Sequence, residues 1–382
     1  MKRIKLFALV LVLLMLPFPL ACAPDLPQSA SVPSPAPSDA LQASEPPRAS
    51  QTPAAVPPST GSIYLYGESH GVEAILHKEA DLWYEYYHKQ NMRHLFVEYS
   101  YFTAEFLNLW MKESDDALLD AVYAEWAGTQ AQVPAVKEFY KRIKAECPET
   151  VFHGTDVGHQ YDTTGARYLR LLEESGQRDS EQYRLAAEAI GQGKRYYAQG
   201  NDVYRENTMA ENFIRAFDAL EGESVMGIYG AAHTGLGAMD YDTHSVPCMA
   251  NRLKERYGEA VFSEDLTKNT EPIRVDTIRV GEKDYEASYF GTQDLTRFFK
   301  DYASRAFWRL ENAYDDFKLC PVTNNILPYN NYPMPIEEGQ VFVIDYTMAD
   351  GSLKREYLRS DGNWWKAENS AIEFVTEEFT LK

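Results

Sequence analysis

Four short apolar segments, each followed by glycine or polar residues, constrain the fold of this chain most strongly. They are Ile63–Tyr66, His94–Val97, Thr150–His153 and Ser224–Tyr229. Long helical stretches separate them, and strands that alternate with helices predict an α/β fold with a mainly parallel sheet. The length of the connections predicts large helical insertions in this sheet.

Apolar residues recur at helical spacing between these strands. The pattern predicts helices over Val72–Gln90, Thr103–Met111, Asp115–Trp126 and Pro134–Ala145, and a largely helical block over Tyr161–Leu220. The proline at the start of the fourth helix suits a first helical turn.

The pattern changes after about Gly258. Strands are predicted at Ile273–Val280 and Tyr285–Phe290, and a short helix near Asp294–Tyr302. The last forty residues predict a small antiparallel β-meander, because Asp-Gly turns separate alternating segments. Its strands are expected at Val341–Thr347, Leu353–Leu358, Trp364–Lys366 and Ile372–Val375.

The N-terminus predicts export. Basic residues precede a short apolar run, and small residues lead to Cys22. Residues 1–22 therefore suggest a lipoprotein-type signal peptide with lipidation at Cys22, with an ordinary secretory signal or an uncleaved anchor as alternatives. Residues 23–61, rich in Pro, Ala and Ser, predict a disordered linker. An α/β domain over residues 62–305 and a C-terminal extension over residues 306–382 complete the expected organisation.

The chain is acidic, with a formal net charge of −20 over 382 residues. Such a surface repels nucleic acid and anionic membranes, so no nucleic-acid partner is expected, and the membrane is contacted through the lipid alone. The expected location is on the membrane, facing outside the cytoplasm. Cys147, Cys248 and Cys320 show no zinc-pair spacing and are interpreted as structural.

Chemically active side chains follow all four predicted strands. Glu68 and His70 follow the first, Glu98 the second, and His233 the fourth. Asp156 and His159 follow the third. Parallel strands bring such residues to one edge of the sheet, where two chemistries stay open. A divalent metal could be bound by imidazole and carboxylate ligands, or a histidine polarised by a carboxylate could activate water without metal.

A fifth group lies in the helical block. Arg205, Thr208, Met209 and Asn212 share one helix face at spacings of three and four, so Arg205 is predicted to reach the sheet edge. The alternative is a solvated arginine paired with a neighbouring acid. The sequence contains no G-x-S-x-G nucleophile elbow, P-loop or dinucleotide fingerprint.

Four motifs together carry a family resemblance. They are GESHG at residues 67–71, the strand-end Glu98, R-E-x-x-M-A-x-N at residues 205–212, and GAAHTG at residues 230–235. The chain resembles the superfamily that contains erythromycin esterases, haem-binding ChaN lipoproteins, and the TIKI and TraB proteins. The esterases usually carry aspartate at the position of Glu206, whereas the compact G-E-x-H spacing is closer to the ChaN and TIKI proteins.

The resemblance implies that Glu68, His70, Glu98, Arg205 and His233 line an active cleft. In that cleft His70 would be a general base or a metal ligand, and Glu68 and Glu98 would orient it or bind the same metal. His233 would be a second base or ligand. Arg205 would stabilise the negative charge of an oxyanion or of a substrate carboxylate. The leading expectation is a hydrolase that cleaves an ester or amide bond in a small molecule or peptide. The alternatives are a lipoprotein that binds haem or an iron compound, and an inactive envelope interaction protein.

Overall fold

A five-stranded parallel sheet organises the first two hundred described residues. The computed structural model describes residues 61–268, 271–296, 299–322, 333–361 and 373–375. The strands of this sheet, in the order β3-β2-β4-β1-β5, are β1 (Ile63–Glu68), β2 (His94–Ser100), β3 (Val151–Asp156), β4 (Val225–Gly230) and β5 (Val261–Asp265). The predicted α/β class and the four predicted strands are confirmed. The edge strand β5 was not predicted.

Eight helices accompany this sheet in the described part of the chain. They are α1 (Glu73–Gln90), α2 (Tyr101–Trp110), α3 (Ala117–Glu125), α4 (Pro134–Glu146), α5 (Ala166–Glu174), α6 (Glu181–Gln199), α7 (Asp202–Asp218) and α8 (Met249–Tyr257). A π-helical segment, Tyr161–Gly165, precedes α5, and short 3-10 turns occupy Ala231–His233 and Gly258–Ala260. The predicted helices are confirmed to within a few residues.

Apolar cores lie on both faces of the parallel sheet. Leu95 and Ile228 belong to a core that also contains side chains of α1 to α4, such as Trp83. Neighbouring strand residues such as Phe96 and Tyr229 belong to a second core with α7 and α8. Because successive strand residues point to opposite faces, the sheet is covered on both sides. Polar groups at its ends are therefore held by a rigid, buried scaffold.

A six-stranded antiparallel sheet follows, with the order β11-β10-β9-β8-β7-β6. Its strands are β6 (Arg274–Val280), β7 (Lys283–Asp294), β8 (Tyr302–Leu310), β9 (Val341–Met348), β10 (Leu353–Arg359) and β11 (Glu373–Val375), and one helical turn, α9, covers Tyr314–Phe317. The predicted meander thus forms part of a larger sheet. The domain boundary expected between residues 305 and 306 falls inside β8. The sequence analysis did not predict this strand.

The short helix predicted near Asp294–Tyr302 is wrong. Asp294 ends β7 and Tyr302 begins β8, the two strands pair antiparallel, and none of the residues described between them is helical; residues 297 and 298 lie outside the described residues. The backbone N–H of Leu295 donates to the carbonyl of Ala303 at 2.9 Å. Among the described residues of this segment, the N–H of Phe299 donates to the carbonyl of Leu295 at 2.9 Å, which is a helix-like bond within the connection.

The antiparallel sheet contacts the first turn of α1. The backbone N–H of Thr292 donates to Oε2 of Glu73 at 2.9 Å. Gly291 adopts a φ of +107°, and a Cβ atom there would lie 2.7 Å from the Cβ atom of Glu73. Glycine is therefore required both by the backbone conformation and by the closeness of α1.

The predicted signal peptide with Cys22, nearly all of the linker and the predicted strand at residues 364–366 lie outside the described residues. Within the described ranges, no helix combines the length and apolarity needed to cross a membrane. Cys147, Cys248 and Cys320 are buried free thiols.

Candidate active site

The first two strand ends bring a histidine between two carboxylates. Glu68 is the last residue of β1, and the chain then turns through Gly71, which has a φ of +73°. Oε1 of Glu68 lies 2.8 Å from Nδ1 of His70, and Nε2 of His70 lies 3.8 Å from Oε1 of Glu98 in β2. The His70 side chain is 42% exposed, whereas those of Glu68 and Glu98 are 12% and 9% exposed. His70 is therefore the member of this trio that solvent or a ligand reaches most easily.

Arg205 links the second and third strand ends. Its Nε donates to Oδ1 of Asp156 at 3.0 Å, and its Nη2 donates to Oδ2 of Asp156 and to Oε1 of Glu98, both at 2.5 Å. Helix α7 orients the guanidinium towards the sheet because Met209, four residues later on the same face, is fully buried in the core. The prediction that Arg205 reaches the sheet edge is confirmed. Its guanidinium is engaged mainly by the protein's own carboxylates.

His233, just beyond β4, is held by a buried glutamate. Its Nδ1 hydrogen-bonds to Oε1 of Glu206, whose Oε2 accepts from the backbone N–H of Met249 at 2.9 Å. Nε2 of His233 lies 3.3 Å from Nη1 of Arg205 and 3.5 Å from Oε1 of Glu98. Because Glu206 fixes one ring nitrogen, the other is directed towards the arginine–carboxylate cluster.

His159 completes the cluster from the third strand end. Its Nε2 lies 3.0 Å from Oδ2 of Asp156, and its Nδ1 lies 2.6 Å from the hydroxyl of Tyr197 in α6. All eight side chains singled out in the sequence are thus joined by contacts of 4 Å or less. They are Glu68, His70, Glu98, Asp156, His159, Arg205, Glu206 and His233.

The surrounding charges shift the protonation of the histidines. Burial lowers the pKa of His70, but the carboxylates of Glu68 and Glu98 outweigh it and raise the pKa to about 10. For His233, burial also lowers the pKa, and Glu98 and Glu206 raise it above its ordinary value. His70 is therefore protonated at neutral pH in the resting site, and the surroundings of His233 favour its protonated form.

The carboxylates of Glu98 and Asp156 are ionised because positively charged side chains surround them. Burial raises the pKa of Glu98, but His233, His70 and Arg205 together lower it to about 2. Burial likewise opposes the ionisation of Asp156, and the guanidinium of Arg205 holds its pKa well below the usual range. The cluster is thus a network of opposite charges in which each proton position depends on its neighbours.

The donor set does not fit a resident metal ion. Within the described ranges, no group of three or more His, Cys, Asp or Glu side chains is arranged to bind a metal. The guanidinium of Arg205 lies between Glu98 and Asp156, where a cation would be expected, and it uses their oxygens. The predicted metal set, His70, His233, Glu68 and Glu98, is therefore engaged in protein hydrogen bonds and ion pairs. Haem binding stays a prediction.

Two cavities adjoin at His70. The cleft cavity has a volume of about 300 Å³ and is lined by the charged cluster and by buried residues such as Val97 and Tyr140. The interface cavity has a volume of about 680 Å³ and lies between α1, α4 and the antiparallel sheet. His70, Gly71, Leu76, Gln130 and Phe139 line both cavities.

Glu79, which the sequence analysis did not single out, lines the cleft cavity from α1. Its side chain is 0% exposed, and neither carboxyl oxygen has a hydrogen-bond partner among the described residues. Burial, reinforced by the carboxylate of Glu68, raises its pKa well above the ordinary value. A signal for this residue exists in the sequence: Glu79 falls on the apolar face of α1, four residues after Ile75 and four before Trp83.

The fold and the cluster define a parallel α/β protein with a Glu/His/Arg site at the carboxyl end of its sheet. No protein-family model matches the chain, and no curated protein matches it. Solved structures that are similar to it include a mutant of erythromycin esterase EreC in an open conformation, at 12% identity over 54% of this chain and 69% of that one, with a TM-score of 0.40.

Two further solved structures show comparable similarity. A protein from Bacillus cereus is 12% identical over 84% of this chain and 87% of its own, with a TM-score of 0.40. A succinoglycan biosynthesis protein is 14% identical over 66% of this chain and 77% of its own, with a TM-score of 0.41.

Proposed function

We propose that this chain is a hydrolase of the superfamily that contains the erythromycin esterases, and that it cleaves an ester or amide bond by activating water. The observation that carries the proposal is the position of the His70 side chain, which is oriented by a carboxylate and accessible from the cleft. Its Nδ1 is fixed by Glu68, its side chain is 42% exposed, and its Nε2 faces the charged cleft. A partly exposed imidazole that a carboxylate orients has the geometry of a general base.

In the proposed reaction, His70 acts in its neutral form. Nε2 accepts a proton from water while the water oxygen forms a bond to the carbonyl carbon of the substrate. When the resulting tetrahedral adduct collapses, the bond to the leaving oxygen or nitrogen breaks and Nε2 returns the proton to that atom. Glu68 holds the ring orientation and stabilises the imidazolium that exists between the two steps.

In this proposal, Arg205 and His233 contact the remaining carboxylates of the cluster. The single positive charge of Arg205 lies between Glu98 and Asp156 and weakens their repulsion of each other and of a developing oxyanion. His233, held by Glu206, places its imidazole next to Glu98. In this proposal the guanidinium of Arg205 supplies the positive charge that a metal ion would otherwise provide.

The test is hydrolysis of p-nitrophenyl esters by the purified protein and by His70→Asn, which removes the base with little change in volume. The matched control is His244→Asn, because His244 is exposed and its φ of 52° suits asparagine. We expect H70N to lose at least about a hundredfold in kcat/KM and H244N to keep wild-type activity. Equal activity of H70N and wild type contradicts the proposal.

The pH profile supplies a second, independent readout. Because a base must be unprotonated and the pKa of His70 is about 10, kcat/KM should rise with pH across the neutral range towards that value. Glu68→Gln removes a carboxylate that raises this pKa, so the midpoint should move to lower pH. A profile that falls with pH above neutrality would show that the imidazolium is the active form.

We also propose that the protein is exported and held at the outer face of the membrane by a lipid on Cys22. The signal-like residues 1–22 and the linker-like residues 23–61 support this location. Expression with a labelled fatty acid should label wild type but not Cys22→Ala. Unlabelled wild-type protein in the soluble fraction would refute the anchor.

A further inference from the structure

We propose that the substrate carries a bulky apolar group, and that this group binds in the interface cavity while the scissile carbonyl lies beside His70. This inference rests on the proposed hydrolase function for the position of the carbonyl. It adds the class of substrate, an amphipathic ester or amide, and assigns recognition to the antiparallel sheet.

The first observation is that the two cavities adjoin. They share the lining residues around His70, so the charged cleft and the interface cavity lie on either side of the same imidazole. The imidazole lies at the junction, where a bond between a polar and an apolar part of a ligand would be placed. A volume of about 680 Å³ lies within the range of cavities that bind drug-sized ligands.

The second observation is the character of the walls. Leu76 and Ala80 of α1, Phe139 of α4, and Phe290 and Phe307 of the antiparallel sheet line the interface cavity. Four charged side chains, Glu73, Glu138, Arg142 and Asp294, also lie on its wall. Each is engaged by the protein: Glu73 accepts from Thr292, Glu138 pairs with Lys141, Arg142 pairs with Asp81 and Glu146, and Asp294 accepts from Thr296. The surface left to a ligand is therefore mainly apolar.

The third observation is that the antiparallel sheet is fixed in this position. The hydrogen bond from Thr292 to Glu73 and the close approach of Gly291 to the same residue hold β7 against α1. The walls of the cavity are accordingly built from helices α1 and α4 on one side and from the antiparallel sheet packed against α1 on the other, and a junction between packed substructures is a common location of a pre-formed ligand site.

The test fills the cavity from its two sides. Ala303→Trp projects an indole from β8, and Ala135→Trp does so from α4, whereas Ala306→Trp on β8 is the matched control because Ala306 does not line the cavity. Thermal unfolding of each variant establishes that it is folded. Binding of the neutral fluorophore N-phenyl-1-naphthylamine is then measured directly, without any requirement for hydrolysis.

We expect the fluorophore to bind wild type and A306W equally, and A303W and A135W at least about tenfold more weakly. We also expect the ratio of kcat/KM for p-nitrophenyl octanoate to that for p-nitrophenyl acetate to fall about tenfold in A303W. Each methylene removed from water contributes roughly fourfold in binding, so excluding two of them gives this order of change.

The outcomes separate the two proposals. If no ester is hydrolysed but A303W and A135W lose fluorophore binding, the hydrolase function fails and the apolar site stands. If esters are hydrolysed but wild type does not bind the fluorophore, or folded A303W and A135W bind it as A306W does, the apolar site is overturned and the hydrolase function stands.

Discussion

Replacing Glu79 with leucine should stabilise the protein, although the substitution removes a polar group from the cleft cavity. The side chain is 0% exposed, and both carboxyl oxygens lack a hydrogen-bond partner among the described residues. An unsatisfied buried polar group costs about 1–3 kcal/mol, and leucine has a similar volume without that cost. We therefore expect Glu79→Leu to raise the free energy of unfolding by about 1–3 kcal/mol near pH 4.5 and by more at pH 8.

The pH dependence of this gain follows from the raised pKa of Glu79. The folded state retains a proton that the unfolded state releases above about pH 4.5. The unfolded state then binds fewer protons, so wild-type stability falls as pH rises, by up to about 1.4 kcal/mol per pH unit. The advantage of E79L over wild type should consequently be smallest near pH 4.5, where only the cost of the unpartnered carboxyl remains, and grow towards pH 8.

Urea unfolding monitored by tryptophan fluorescence, at several pH values between 4.5 and 8, measures the difference. Glu79→Gln tests the same reasoning with the carboxyl's shape preserved, and Glu85→Gln is the matched control, because Glu85 lies exposed on the same helix and pairs with Lys89. If E79L is less stable than wild type at pH 8, Glu79 has a partner in solution. A gain that does not change with pH would refute the assignment of a proton to the folded state.

Three further substitutions or treatments give distinct readouts. Gly230→Ala places a Cβ atom 3.1 Å from Nε2 of His70, so kcat/KM for ester hydrolysis should fall about tenfold or more. In the control Gly237→Ala the new Cβ atom meets nothing within 4 Å, so kcat/KM should not change. Wild-type activity of G230A would contradict the described cleft. Glu206→Gln removes the charge that raises the pKa of His233, and a histidine NMR titration should show a lower pKa; an unchanged value would argue against the described contact. Treatment with EDTA should leave ester hydrolysis unchanged, because the guanidinium of Arg205 already lies between the carboxylates of Glu98 and Asp156. A loss of activity that zinc restores would overturn the metal-free mechanism.

The sequence predicted most of the parallel sheet because each inner strand is an uninterrupted apolar segment that ends in a glycine or polar residue. The edge strand β5 escaped prediction, since it is paired on one side and only Val261 is buried, which leaves a weak pattern. Strand β8 was missed for a different reason: its residues alternate between buried and half-buried and include Arg305 and Arg309, so its apolar signal is diluted.

The site was predictable to the extent that parallel strands bring their carboxyl ends together. This rule placed Glu68, His70, Glu98, Asp156 and His159 at one edge without knowledge of their contacts. The pairing of partners was not predictable, because it depends on side-chain directions that several helices determine jointly. The bond between Glu206 and His233 joins residues 27 positions apart, and no local pattern specifies it.

The contact between Gly291 and Glu73 joins two parts of the molecule that contribute different features, the charged network and a wall of the interface cavity. The charged network belongs to the parallel sheet and its helices, whereas Ala303, Ser304 and Phe307, which line the interface cavity, belong to the antiparallel sheet. Substitutions in those strands can therefore change the shape of the cavity without displacing a proton in the cluster. A library randomised at these three positions is therefore a direct test of whether the interface cavity determines the selectivity of the protein for its ligand.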